Sequence, residues 1–143
     1  MVHEYSFALI IAAVLDAFAA ALHIGVVIVG PRWYRLFGAG ERFARAAEAG
    51  SMYPAAVTFV IAMVLFAWAI YALSGATVIG PLPFLRPVLA ATTLVYLLRG
   101  IAGPFLLVGT GHSRQFVIIS SAICLVFGVA HLLGLAQMWG RLA

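Results

Sequence analysis

Residues 5–29 read YSFALIIAAVLDAFAAALHIGVVIV, and this stretch decides the fold. Asp16 and His23 are its only acidic, basic or imidazole side chains, and Gly30-Pro31 follows it directly. About 20 predominantly apolar residues are needed for an α-helix to cross the hydrocarbon core of a bilayer. No basic residue precedes the stretch, whereas a cleavable signal peptide begins with a positively charged region. The sequence therefore predicts a first membrane span that is retained in the protein.

Three further apolar segments have comparable lengths. None of them alternates with period two, so membrane-spanning helices are favoured over a β-barrel. The sequence predicts an all-α integral membrane four-helix bundle, formed as a single transmembrane domain over residues 1–143. The predicted spans are about 5–29, 55–73, 88–108 and 116–138.

The composition excludes most soluble classes of protein. Of the 143 residues, 66% are hydrophobic and 8% are charged, whereas soluble domains have about 45–50% apolar and about 25% charged residues. A single cysteine, Cys124, excludes an intramolecular disulfide and a CxxC site. The net charge of +4 lies beside the apolar spans, which indicates anionic lipid headgroups as partners and no nucleic acid.

The arginines predict how the chain is oriented. Cytoplasmic loops of membrane proteins are enriched in basic residues, and the loops after the first and third spans hold five arginines against two on the opposite side. We therefore expect both termini on the non-cytoplasmic side of a bacterial inner membrane. Within the first loop, residues 32–51 predict an amphipathic helix in the headgroup region, with a solvated connector as the alternative. Its expected interface anchors are Arg32, Trp33, Arg35, Arg42 and Arg45.

Ionisable groups inside a span are costly and mark function or structural pairing. Counted from the predicted span ends, Asp16 and Arg99 both lie about 16 Å from the same boundary. The sequence therefore predicts an intramembrane Asp16–Arg99 ion pair. In the alternative geometry the third span ends at Leu98, the Arg99 side chain extends toward the headgroups, and Pro104 begins a separate segment.

Two histidines complete the set of intramembrane polar groups. His23 and His131 are expected about 10 Å from opposite faces, which argues against one haem bound between them. His23, Tyr96 and His131 outline a possible polar pocket near the ion pair. Each histidine either bonds to a neighbouring helix or, for His131, forms a proton-accepting unit with Asp16. No group of residues has the spacing of a metal site.

Residues 37–54, FGAGERFARAAEAGSMYP, together with residues 66–100 carry a first resemblance. They resemble a family of small, uncharacterised four-helix proteins of bacterial inner membranes. This resemblance extends over most of the chain and implies the four-helix fold, but no activity.

A second pattern in the first loop is similar to the membrane-associated proteins in eicosanoid and glutathione metabolism, the MAPEG family. The chain departs from that pattern at Ala49, where the family has asparagine, and it lacks the Arg-Tyr pair of the third span. The resemblance implies a homotrimer that binds glutathione between subunits at the cytoplasmic side. The residues that carry it are Glu41-Arg42, Arg45-Ala46 and Pro54.

No catalytic motif accompanies these patterns: the chain has no phosphate loop, no HExxH and four acidic residues in all. The sequence favours a non-catalytic component or accessory subunit of a larger membrane assembly, without a cofactor and with lipid binding as a further expectation. Its expected partners are membrane lipids and other membrane subunits or further copies of the chain. The alternative is a glutathione-dependent membrane transferase of the MAPEG type.

Overall fold

A computed structural model of the protein describes residues 5–142, and 78% of these residues are helical. The described residues contain no strand. Four of the helices are long and apolar enough to span a membrane, which confirms the predicted all-α fold. The helices are α1 (Phe7–Val29), α2 (Pro31–Leu36), α3 (Glu41–Glu48), α4 (Tyr53–Gly75), α5 (Leu85–Leu106) and α6 (Arg114–Met138).

The helix ends follow from local chemistry. The side chain of Ser6 caps α1 and that of Ser113 caps α6, each accepting a bond from the first turn. Helix α4 begins at Tyr53, two residues before the predicted start, because a proline is tolerated in the first helical turn. Helix α5 begins three residues earlier than predicted and continues through Pro104 to Leu106. The alternative with a separate segment beginning at Pro104 is therefore wrong.

The four long helices form a bundle in which α1 packs against α4 and α6, and α5 packs against α6 and α4. The bundle end where α1 begins and α6 ends holds a core of Leu9, Ala72, Leu89 and Leu135 with their neighbours. At the opposite end, α2 and α3 fold back as a cap against the end of α1, where Val26, Tyr34 and Ala44 are buried together. The outward sides of the long helices are apolar, as lipid-facing sides are.

Glycines allow the helix backbones to approach closely. A Cβ at Gly134 of α6 would collide with the Leu9 side chain and lie 3.0 Å from the Leu9 backbone nitrogen. A Cβ at Gly100 of α5 would lie 3.0 Å from the backbone nitrogen of Leu125. Small residues at such contacts are how helices pack in lipid, where no hydrophobic effect draws them together.

We predict that Gly134→Leu lowers the free energy of unfolding by at least about 2 kcal/mol, because α6 must move away from α1. The measurement is helix loss by circular dichroism in mixed micelles with increasing denaturing detergent. Gly140→Leu is the matched control, since a Cβ at Gly140 meets nothing within 4 Å, and its change should stay within about 0.5 kcal/mol. Equal effects of the two substitutions would contradict the close α1–α6 contact.

Candidate functional site

The most polar feature inside the bundle is a hydrogen-bonded trio formed by Asp16 of α1, Tyr96 of α5 and His131 of α6. The Tyr96 hydroxyl donates to Asp16 Oδ1 at 2.5 Å, and His131 Nε2 lies 2.9 Å from Asp16 Oδ2. Asp16 and His131 are fully buried, and Tyr96 is 6% exposed. An ionised Asp16 accepts from both neighbours, so each carboxylate oxygen has a donor.

Aromatic rings enclose the trio. The imidazole of His131 stacks on the Tyr96 ring with centroids 5.5 Å apart. Trp68 of α4 and Phe127 of α6 meet the same ring edge-on at 5.1 and 5.3 Å. All four long helices therefore contribute a side chain, and the surroundings of the carboxylate have low polarity, which strengthens each hydrogen bond.

The sequence places these groups at one level by helical spacing. Asp16 lies nine residues after the start of α1, Tyr96 eleven after the start of α5, and His131 seven before the end of α6. At about 1.5 Å per residue, these positions are about 13, 16 and 10 Å from the same end of the bundle. The tyrosine and the histidine therefore bracket the carboxylate along the bundle axis.

Two polar atoms beside the trio have no hydrogen-bond partner in the described part of the chain: His131 Nδ1 and Thr92 Oγ1. Both are buried, and Thr92 lies one helical turn from Tyr96 on α5. The His131 ring thus uses one nitrogen to hold Asp16 and keeps the other available as a donor or an acceptor.

The predicted Asp16–Arg99 ion pair is wrong. The Arg99 guanidinium donates from Nη1 to Ser121 Oγ at 3.2 Å and from Nη2 to Ser120 Oγ at 3.1 Å. The error comes from the helix ends: Arg99 lies fourteen residues into α5 and Asp16 nine into α1. This difference separates their levels by about 8 Å, and the Arg99 side chain extends over Gly103, toward the capped end of the bundle.

The predicted polar pocket is brought together in part. Tyr96 and His131 meet in the trio, whereas His23 bonds through Nδ1 to the carbonyl of Ala19 in its own helix at 2.7 Å. Sequence reasoning did not predict Ser120 and Ser121 as partners of Arg99, or Trp68 as a neighbour of Tyr96. In the structure, Ser121 lies seven residues from the start of α6 and Arg99 seven from the end of α5, so their levels match. With the predicted span ends, Ser121 is five residues and Arg99 nine residues from that side, so counting alone does not pair them.

In the cap, two of the predicted interface anchors bind neighbouring side chains. Arg35 of α2 donates to Glu48 at 2.6 Å and to Glu41 at 3.0 Å, both on α3. Arg45 donates to Glu41 at 3.1 Å. Hydrogen bonds from Arg35 and then from Arg45 lower the pKa of Glu41 to about 2, and the bond from Arg35 also lowers the pKa of Glu48. Arg35 therefore ties the two short helices together.

The other three anchors differ among themselves. Trp33 is half-buried, stands edge-on to Phe37 with ring centroids 5.4 Å apart, and occupies the space left by Gly25 of α1. Arg32 and Arg42 are exposed, and neither has a hydrogen-bond or ionic partner among the described residues.

Among residues 5–142, no group of three or more His, Cys, Asp and Glu side chains could hold a metal ion. Comparison with known proteins finds no match: no protein-family model, curated protein or solved structure matches the chain. The two resemblances seen in the sequence therefore stay predictions.

We predict that His131→Leu lowers the free energy of unfolding by about 3–5 kcal/mol, because it leaves the Asp16 carboxylate buried without its second donor. The double variant Asp16→Leu/His131→Leu should be less destabilised than the sum of the two single variants, since it removes the charge together with its partner. Unfolding in mixed micelles, followed by tryptophan fluorescence, measures all three variants.

Leu132→Ala, at an exposed position next to His131, is the control for a general loss of side-chain volume on α6. Strict additivity of the Asp16 and His131 substitutions would contradict a direct interaction between the two residues.

The contacts of Glu41 with arginines predict that the stability of the cap depends on pH. A carboxyl group whose pKa is lower in the folded than in the unfolded state stabilises the fold above the unfolded value of about 4.3, and that contribution is lost as the pH falls through the folded value. For Glu41 the loss runs from about pH 4.3 down to about 2. Amide protection factors of α3, corrected for intrinsic exchange, should therefore fall over this range while those of α1 do not.

At pH 7, Glu48→Gln should lower the protection of α3, because one of the two carboxylates that Arg35 binds loses its charge. Arg42→Gln on the same helix is the control and should leave the protection unchanged. Protection of α3 that is constant from pH 7 to pH 2 would contradict the role of the Arg35 bridge.

Proposed function

We propose that the chain is a non-catalytic accessory subunit of a larger membrane assembly, and that this assembly lies in a bacterial inner membrane. In this proposal both chain termini are on the non-cytoplasmic side and the cap formed by α2 and α3 is cytoplasmic. The arginine distribution supports that orientation, since Arg32, Arg35, Arg42 and Arg45 all lie in the cap segment.

The charge of Arg99 carries the proposal. This arginine is half-buried in a membrane-length helix, about 10 Å from its end, and its two described bonds go to neutral serine hydroxyls. The three acidic residues of the described chain are engaged elsewhere: Asp16 with Tyr96 and His131, and Glu41 and Glu48 with arginines of the cap. A cation at such a depth normally pairs with an anion, and a carboxylate of a neighbouring subunit would supply it.

The burial of the trio supports a structural rather than a catalytic role for Asp16, Tyr96 and His131. Asp16 and His131 are fully buried, and the two clefts described at the cap include no residue of the trio. A substrate would need an opening of the bundle to reach Asp16. Three helices held together by one carboxylate suit a stable scaffold for a partner.

The glutathione-dependent transferase stays a prediction from resemblance. Such an enzyme needs several arginines around one ligand, because glutathione carries two carboxylates and a thiol that arginines would bind. Arg45 bonds to Glu41 in its own helix, and Arg99 bonds to the serines of α6, so the two arginines have separate partners. The contacts of these arginines favour the non-catalytic role.

We predict that Arg99→Gln releases the chain from its assembly while the bundle stays folded, because glutamine keeps a donor for the serines but loses the charge. The measurement is the native mass of the tagged chain after gentle extraction from its own membranes, together with helix content. The wild-type chain should migrate in a particle clearly heavier than the 15.2 kDa monomer. Most of the Arg99→Gln chain should migrate in a lighter form.

Arg114→Gln is the matched control, since it also removes one arginine on the capped side but outside the bundle interior. A wild-type particle of one chain, or an unchanged mass of Arg99→Gln, would contradict the proposal. A colourless particle of three copies that binds glutathione would instead support the transferase.

A further inference from the structure

An open groove of about 730 Å³ lies at the junction of the bundle and the cap. It is bounded by the end of α1, the short helix α2 and the end of α3. Its lining residues are Val29, Pro31, Arg32, Arg35, Leu36 and Glu48. Helix α1 is long enough to span a membrane and ends at Val29. In a membrane, the groove beside Val29 would therefore lie where the hydrocarbon core meets the headgroup layer.

One wall of the groove is apolar and open. Leu36 is 71% exposed and Val29 is 43% exposed, and Ile28, beside Val29, is 78% exposed. These side chains continue the apolar outward side of α1 up to the cap. An acyl chain lying along α1 therefore reaches the groove without crossing a polar surface.

The other wall carries a cation with no partner in the described chain. Arg35 is neutralised by Glu41 and Glu48. Arg32, three residues earlier and directly after Pro31, is exposed and has no hydrogen-bond or ionic partner among residues 5–142. A guanidinium offers a planar pair of donors that matches a phosphate group.

We propose that this groove is a binding site for one anionic phospholipid of the leaflet on the cap side. The headgroup phosphate binds Arg32, and the first part of an acyl chain lies against Val29 and Leu36. The charge of Arg32 favours a lipid with a net negative charge over a zwitterionic one, in which a choline would have to lie near the same guanidinium. The site depends on the chain spanning a membrane, but it does not depend on a protein partner.

Native mass spectrometry of the purified chain, released from vesicles of equal parts phosphatidylglycerol and phosphatidylcholine, tests the proposal. Wild type should retain phosphatidylglycerol about fivefold in excess over phosphatidylcholine, which corresponds to about 1 kcal/mol for one cation at the surface. Arg32→Gln should bring the ratio close to one.

Arg42→Gln is the matched control, because Arg42 is also exposed and without a described partner but does not line the groove. It should keep the wild-type ratio. A wild-type ratio near one overturns the proposal. An equal loss of preference in the two variants also overturns it, because the preference for phosphatidylglycerol would then come from the net charge of the cap. Because the isolated chain is used, failure here is distinct from failure of the assembly proposal.

Discussion

The bundle is organised around one carboxylate in the membrane interior. An unpaired charge at this depth costs about 2.5–3.5 kcal/mol on insertion scales and more in simulations. Asp16 avoids that cost through Tyr96 and His131, which approach it from two different helices at 2.5 and 2.9 Å. Since removal of either donor leaves the carboxylate buried with a missing bond, the positions of α1, α5 and α6 are interdependent.

The other polar groups lie at separate levels along the bundle. The trio occupies the half in which α1 begins and α6 ends, the Arg99–serine contacts lie about 8 Å closer to the cap, and the Arg35 bridge lies in the cap itself. The trio joins helices that are distant in the sequence, whereas the Arg99 contacts and the Arg35 bridge each join two consecutive helices. At the first and third levels the carboxylates accept hydrogen bonds within the described chain. The second level holds a cation without a carboxylate, and this difference is why we assign the contact with a partner to Arg99.

The four spans could be predicted from the sequence because bilayer thickness requires about 20 apolar residues in each, and few other structures satisfy that pattern. For His131 the sequence left open a bond to a neighbouring helix or a proton-accepting unit with Asp16, and the contact with Asp16 of α1 is consistent with both. The partner of Arg99 could not be predicted correctly, because α5 begins at Leu85 and α1 at Phe7, and an uncertainty of two or three residues at each end amounts to most of a helical turn in depth. Trp68 was missed since it looks like any aromatic residue of a span, and only the packing of α4 against α5 brings it to Tyr96.

The central claim is that His131 and Tyr96 hold a buried Asp16. Nuclear magnetic resonance of the chain with ¹⁵N-labelled histidine, reconstituted in lipid nanodiscs, tests it most directly. Our account predicts that one histidine has a ring N–H that persists in heavy water and shows a nuclear Overhauser effect to a tyrosine ring, and that His131→Gln removes this signal. Rapid solvent exchange of every histidine ring, with no contact to tyrosine, would contradict it.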